Sequence, residues 1–332
     1  MYDLRDDYLA LGFSDEQTAE FDKRETINQI TEALSGLGYA VEPIGHGRRL
    51  AAALSNGQRW DLVFSIAEGV RGRSREAQVP ALCELFDQAY VFSDPLTMAV
   101  TLDKAMAKRI VRDCGIATAP FVVLESGSET LADWNHYPAF VKPLAEGTGK
   151  GCELASLVDN EAELRAAAMS LILRFGQPAL VEAYLPGREF TVGIIGNGAH
   201  AHVIGTMEIL LNADAEPGVY SYTNKEEWER LVTYRRADDE EAGRAADCAL
   251  AAYRALGCHD AARLDLRSDR TGTPVFLEAN PIAGLNMTHS DLPMLAAQNG
   301  ITYADLLAMI VTAAVERYEI TDRGFADLRA SA

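Results

Sequence analysis

The sequence predicts an α/β chain folded in more than one unit, on three observations. Helix and strand patterns alternate through the first 95 residues, and paired strand-like runs joined by glycine-rich or turn segments follow. The 332 residues, 48% apolar and 24% charged, lie in the ordinary globular range and suffice for two or three cores.

Taken in order, Ile27, Ile30, Ala33, Leu34 and Leu37 repeat at helical spacing from Glu25 until Gly38 stops the helix. Tyr39 to Ile44 and Asp61 to Ile66 read as strands and Gln78 to Phe86 as a helix, an alternation that implies a parallel sheet. No long apolar strand precedes them, so the first strand is expected to be short or missing. A new unit begins near Pro95, with one helix from Leu96 to Cys114 ending at Gly115 and an extended stretch from Thr118 to Leu124. Tyr137 to Pro143 and Cys152 to Val158 read as strands joined by Leu144 to Gly151, backed by an alanine-rich helix from Asn160 to Arg174. Ala179 to Leu185 is another strand. Beyond Pro186-Gly187 short strands alternate with a long helix from Glu240 to Leu256. No repeat or low-complexity linker interrupts the chain.

Thirty Lys and Arg against 49 Asp and Glu leave a net charge of −19, which argues against nucleic-acid or membrane-surface partners. Any phosphate must be held locally. The five cysteines, Cys83, Cys114, Cys152, Cys248 and Cys258, form no CxxC pair and fit reduced thiols, hence a cytoplasmic location. No apolar run approaches the roughly 20 residues of a membrane helix, and the acidic start MYDLRDDYLALGF is unlike a signal peptide.

Glu146-Gly147-Thr148-Gly149-Lys150-Gly151 resembles a phosphate cradle, because glycines let backbone N–H groups converge on an anion. It lacks the Walker spacing and lies between strands, without a helix dipole. The stronger signal is a hairpin, Ala262 to Arg267, a turn, then Pro274 to Asn280. Symmetric closure sets Asp265 opposite Glu278 and Arg263 opposite Asn280, all on one face, with Leu264, Leu266, Leu277 and Ala279 on the other. Two carboxylates and an amide with open positions suit Mg²⁺. The competing reading is a surface hairpin with ordinary ion pairs. The irregular loop Asn280 to Ser290 that follows suits a second substrate.

In order along the chain, Leu102-Asp-Lys-Ala-Met-Ala-Lys108, Phe140-Val-Lys-Pro143, the glycine loop, Val181-Glu-Ala-Tyr-Leu-Pro-Gly-Arg-Glu189, Tyr220 to Lys225, Ala262-Arg-Leu-Asp265, Leu277-Glu-Ala-Asn280 and His289-Ser-Asp-Leu-Pro293 resemble an ATP-grasp ligase of the D-alanine–D-alanine ligase branch. The resemblance spans about Asp61 to Ala308. It implies α/β and α+β units in an ATP-grasp fold: an N-terminal parallel-sheet domain at 1–95, a central lid at 96–180, a C-terminal part with the metal and substrate site at 181–320, and a tail at 321–332. It implies that Lys104 and Lys142 contact the phosphates and the adenine side. Glu146, Gly147, Thr148 and Gly149 cradle phosphate, Glu182 and the backbone at Leu185 read the adenine edge, Glu189 holds the ribose hydroxyls, and Lys225 reaches the terminal phosphate. Asp265, Glu278 and Asn280 then bind Mg²⁺, two ions in all, with Mn²⁺ able to substitute. Arg263 and the Gly284 amide stabilise the oxyanion, and Ser290 catches the carboxylate of the amine donor. Such an enzyme phosphorylates a small carboxylate with ATP and lets an amine attack the acyl phosphate, and a homodimer is the family's expected state.

The pattern departs from that branch on the side of the first substrate. Its acidic residue is not placed within Tyr2 to Arg5 or Glu16 to Glu25; Glu68-Gly69 replaces a His-Gly pair; Thr148 stands for a serine and Glu226 for a tyrosine; and one extra residue lies between Gly284 and His289. Arg71, Arg73 and Arg75 suggest an acid donor with an additional negative group. The expected activity is therefore a ligase of altered amino-acid specificity. A true D-alanine–D-alanine ligase is the alternative, and a catalytically lapsed ATP-binding regulatory protein the second.

Overall fold

The computed structural model describes residues 1–216, 218 and 220–320, apart from the side chains of Tyr222 and Glu226. The expected 321–332 tail and the substitution at Glu226 lie outside the described side chains.

The first unit carries α1 (Arg5–Ala10), α2 (Arg24–Gly36), α3 (Gly47–Ser55) and α4 (Gln78–Leu85). Its extended segments run parallel but exchange few bonds. The Met1 nitrogen donates to Phe64 O at 2.7 Å and Met1 O accepts from Ile66 at 3.0 Å, while Val63 bridges Ala89 O and Val91 N at 2.9 Å each. Pairing is confined to the isolated parallel bridges Leu4–Asp22 and Val63–Tyr90. Tyr39 to Ile44 is extended without a ladder, because Gly45 alone of this region meets Tyr2, through one bond of 3.0 Å. The first extended segment is short, as the sequence suggests.

The expected single helix over 96–114 is two, α5 (Pro95–Leu102) and α6 (Lys104–Asp113). Asp103 breaks it: its backbone is extended, its carboxylate accepts from Met106 N, and it takes an ion pair from Arg73 at 2.5 Å. The α6 residues Ala107 and Val111 pack into the core of the C-terminal sheet rather than into the central unit with which the sequence grouped them.

A four-stranded antiparallel sheet follows, ordered β1-β4-β2-β3, from β1 (Phe121–Leu124), β2 (Ala139–Pro143), β3 (Leu157–Val158) and β4 (Ala179–Ala183). α7 (Glu161–Phe175), capped by Asn160, buries Leu164 and Ala168 against it. The strand expected from Cys152 is only β3, because Glu153 and Ser156 cap each other's backbone around a 3₁₀ turn.

The larger sheet is antiparallel in the order β7-β6-β5-β8-β9. It comprises β5 (Glu189–Ile195), β6 (His202–Leu211), β7 (Val232–Arg236), β8 (Ala261–Ser268) and β9 (Pro274–Asn280), with the short α8 (Tyr222–Glu226) and α9 (Trp228–Leu231) before β7. α10 (Glu240–Ala255) lays Ala242, Ala245, Ala249 and Ala252 on one face, over Phe190, Val192, Leu264, Leu266 and Phe276. Small side chains let helix and sheet approach closely, and period-two alternation sends Glu189, Thr191, Arg263, Asp265 and Arg267 to the other face. α11 (Asp291–Gln298) and α12 (Tyr303–Arg317) join the core of the first unit, with α2 packed on α12. No single described helix is long and apolar enough to cross a membrane.

Candidate active site

The β8–β9 hairpin pairs Arg263 with Asn280 and Asp265 with Glu278, in the expected register. A bulge after Asp265 then shifts the pairing, so Leu266 meets Phe276. Phe276 takes the core position, and Leu277, expected in the core, turns instead toward the smaller of two cavities.

Three of the four polar side chains are joined through Asp265, and the fourth, Glu278, pairs with Lys104. Arg263 donates to Asp265 and Asp291 at 3.0 Å each, Asn280 Nδ2 lies 3.3 Å from Asp265, and Thr191 donates to Asp265 at 2.8 Å. Burial, with Glu278 and Asp291 nearby, pushes the Asp265 carboxyl up to about 6 despite Arg263. Burial would also raise Glu278, but Lys104, Lys142, Lys225 and Arg263 hold it well below the usual range. Lys104 pairs with Glu278 at 3.2 Å and donates to Glu146 O at 2.5 Å. Two carboxylates and an amide offer hard oxygens of the kind a divalent ion takes, with Asp265 buried and already bonded to Arg263 and Thr191.

A second buried group lies at the smaller cavity. Glu182 is bound by Lys108 at 2.5 Å and Lys142 at 2.6 Å, which bring its carboxyl down to about 2 against the opposing effect of burial. Lys108, fully buried and also held by Thr118 at 2.8 Å, was missed in the sequence although it lies one helical turn after Lys104. Each Glu182 oxygen faces a lysine, and Glu182 lines the smaller cavity together with Ala183, Tyr184 and Leu185, where the sequence expects the adenine edge to be read. Phe140, Tyr184, Ile209 and Leu277 give that cavity apolar walls, and Glu189 and Lys225 stand at it.

The glycine loop closes onto the first unit. Gly147 N donates to Glu20 at 2.5 Å, Glu20 also binds Arg75 at 2.9 Å and Lys150 at 3.2 Å, and Arg75 donates to Ala145 O at 2.9 Å. Burial opposes ionisation of Glu20, yet Arg75, Lys150 and the Gly147 amide hold its carboxyl low. Thr148 and Gly149 have φ of +50° and +73°, and Gly147 and Thr148 line the main cleft. The cradle thus carries a protein carboxylate at its first amide, an arrangement that sequence spacing could not reveal because Glu20 is 127 residues away.

The main cleft, about 400 Å³, contains Lys104, Lys225, Arg263, Glu278, Asn280, Gly284 and Ser290 together. A Cβ on Gly284 would come within 2.8 Å of Ser290 Oγ, so only glycine permits this approach. Ser290 Oγ accepts from Asn286 N at 3.0 Å, and Asn286 and Met287 bond Thr26 and Gln29 of α2 at 3.1 and 2.9 Å, fixing the loop. Arg5, Asp22, Lys23, Glu68 and Glu76 line the same cleft. Desolvation pushes the Asp22 and Glu76 carboxyls up to about 7 and the Glu68 carboxyl well above its ordinary value, Glu68 and Glu76 being hydrogen-bonded to each other. None of Arg71, Arg73 and Arg75 lines the cleft among the described residues: Arg71 is exposed, Arg73 serves Asp103 and Arg75 serves Glu20. The expected arginine site for an additional anionic group is therefore not formed, since carboxylates of the fold have taken those charges.

Comparison with known proteins adds the following. The family model described as "D-ala D-ala ligase C-terminus" matches residues 110–312. The chain is 34% identical over 270 residues to the uncharacterized protein y4sG of Sinorhizobium fredii, covering 77% of this chain and 75% of that one. It is 33% identical over 290 residues to a D-alanine–D-alanine ligase of Bordetella petrii, covering 86% and 85%. A crystal structure of the Bacillus anthracis D-alanine–D-alanine ligase complexed with ATP superposes with a TM-score of 0.72 at 23% identity, covering 90% of this chain and 95% of that one.

Proposed function

Because the chain belongs to the D-alanine–D-alanine ligase family of ATP-grasp enzymes, we propose that it is an ATP-dependent ligase joining a small carboxylic acid to an amine through an acyl phosphate, with an acid donor other than D-alanine. The hairpin face carries this reading, because Arg263, Glu278 and Asn280 line one cleft with Lys104 and Lys225, while Asp265, paired with Glu278 in the hairpin, lines the adjoining smaller cavity. The base lies in the smaller cavity beside the Ala183–Leu185 backbone, with Glu189 on the ribose hydroxyls and Lys142 and Lys225 on the phosphates. Asp265, Glu278 and Asn280 would hold Mg²⁺, which would supply neutralisation of phosphate charge. Lys104 orients the transferring phosphate from its place beside Glu278. The acid's carboxylate oxygen takes the γ-phosphoryl group of ATP as the bond to the β–γ bridging oxygen breaks and ADP leaves. The amine attacks the acyl carbon, the oxyanion meets Arg263 and the Gly284 N–H, and its collapse expels phosphate while the nitrogen gives up a proton to form the amide. Ser290 receives the amine donor's carboxylate.

The altered donor is supported by the polar lining of the cleft. Asp22, Glu68, Glu76, Arg5 and Lys23 all border it, which suits a donor whose body carries polar groups rather than a bare methyl. The 33% identity to a D-alanine–D-alanine ligase favours D-alanine as the alternative. Phosphate release measured with ATP, Mg²⁺ and a panel of acids and amines, with products weighed by mass spectrometry, tests both. Selective turnover of D-alanine alone removes the altered donor, and no phosphate release with any pair removes the ligase reading.

A further inference from the structure

Arg267 stands two residues beyond Asp265 on the same strand face, in the wall of the smaller cavity. Its Nη1 binds Glu189 Oε2 at 3.2 Å, its Nη2 donates to Tyr184 Oη at 3.2 Å and to Gly218 O at 3.1 Å, and its guanidinium lies 5.1 Å from the Tyr184 ring centroid. Tyr184 Oη also donates to Gly218 O, at 2.9 Å. The Arg267 Nε is buried and has no hydrogen-bond partner among the described residues. A planar cation with several anchors is more than a surface ion pair: the side chain is 15% exposed, and loss of any anchor leaves a desolvated donor.

We propose that Arg267 is a positioning residue for the nucleotide: it fixes the Glu189 carboxylate at the ribose hydroxyls and so selects ribonucleotides over deoxyribonucleotides. This rests on the nucleotide-dependent reading above. Arg267 occupies one oxygen of Glu189 and leaves the other for a ribose hydroxyl, while its bonds to Tyr184 and Gly218 stop the guanidinium from swinging away. A methionine here fills the space beside Tyr184 but lets Glu189 rotate into solvent.

The test measures KM and kcat with ATP, 2′-deoxy-ATP and 3′-deoxy-ATP for the unmodified enzyme, Arg267→Met and Arg267→Lys, with melting curves alongside and direct ATP binding by calorimetry. Arg267→Met is expected to raise KM for ATP about tenfold, the scale of one charge-assisted hydrogen bond, with kcat within about twofold. For the deoxynucleotide that lacks the hydroxyl in question, KM should rise less than about twofold, so discrimination falls about fivefold, and lysine should restore part of it. An equal loss for all three nucleotides, or unchanged discrimination in both variants, overturns this inference alone. Failure of the unmodified protein to bind ATP overturns the nucleotide-dependent reading and this inference with it. If Arg267→Met does not fold, unchanged discrimination in Arg267→Lys overturns it.

Discussion

Replacing Glu182 with glutamine removes the carboxylate that lies between two buried ammonium groups, Lys108 at 0% and Lys142 at 10% side-chain exposure. Breaking a buried pair costs about 3–5 kcal/mol, because the stranded charge is the expensive part, so urea denaturation of Glu182→Gln should show a loss of that size. A loss below about 1 kcal/mol would mean that water reaches the lysines. The pH dependence follows from the same geometry. Because the folded carboxyl is lowered to about 2 from 4.5, its contribution is complete above 4.5 and is lost as pH falls toward 2. The sequence marked Glu182 and Lys142, since both stand in short strand motifs, but not Lys108 or Glu20. Their partners arrive from other segments, and a lysine within a helix reads as a solvated charge until burial is known.

At the level of elements, Asp103 decides where one helix ends and the next begins. Asp103→Ala removes the cap on Met106 and the partner of Arg73, and should cost about 1 kcal/mol in thermal unfolding. KM for ATP should rise as well, because Lys104 is the first residue of α6, and an unaltered KM would show that Lys104 does not depend on that break. Helical periodicity ran straight across this junction, which is why a single helix was expected. The hairpin was more legible, because period-two alternation and a turn fix the register on their own. The bulge was not, since nothing local announces one extra residue. It yields a paired forecast: Phe276→Ala, in the core at 0% exposure, should cost about 3–5 kcal/mol. Leu277→Ala, at the cavity, should change stability by less than about 1.5 kcal/mol but raise KM for ATP. If the two variants melt alike, the bulge is misplaced.

Across the whole molecule, the cleft joins residues as far apart as Arg5 and Asp291, so its electrostatics reports on the assembled fold. Asp22 and Glu76 are raised to about 7 from 3.8 and 4.5, so between about pH 4 and 7 the folded state binds more protons than the unfolded one. Stability therefore falls as pH rises through that window. Melting temperatures from pH 5 to 8 should decline, and Asp22→Asn should flatten the decline and melt higher than the unmodified protein at pH 8; parallel curves would refute the assignment. The alternation of the first 95 residues disclosed a parallel arrangement, but not how few bonds hold it, because much of its binding comes from α12, over 200 residues later. Glu68 and Glu76 belong to that first unit, whereas the hairpin lies near the other end of the described chain. If the acid donor is recognised there, as proposed, substitutions within the first 95 residues would change which molecule is activated without touching the hairpin.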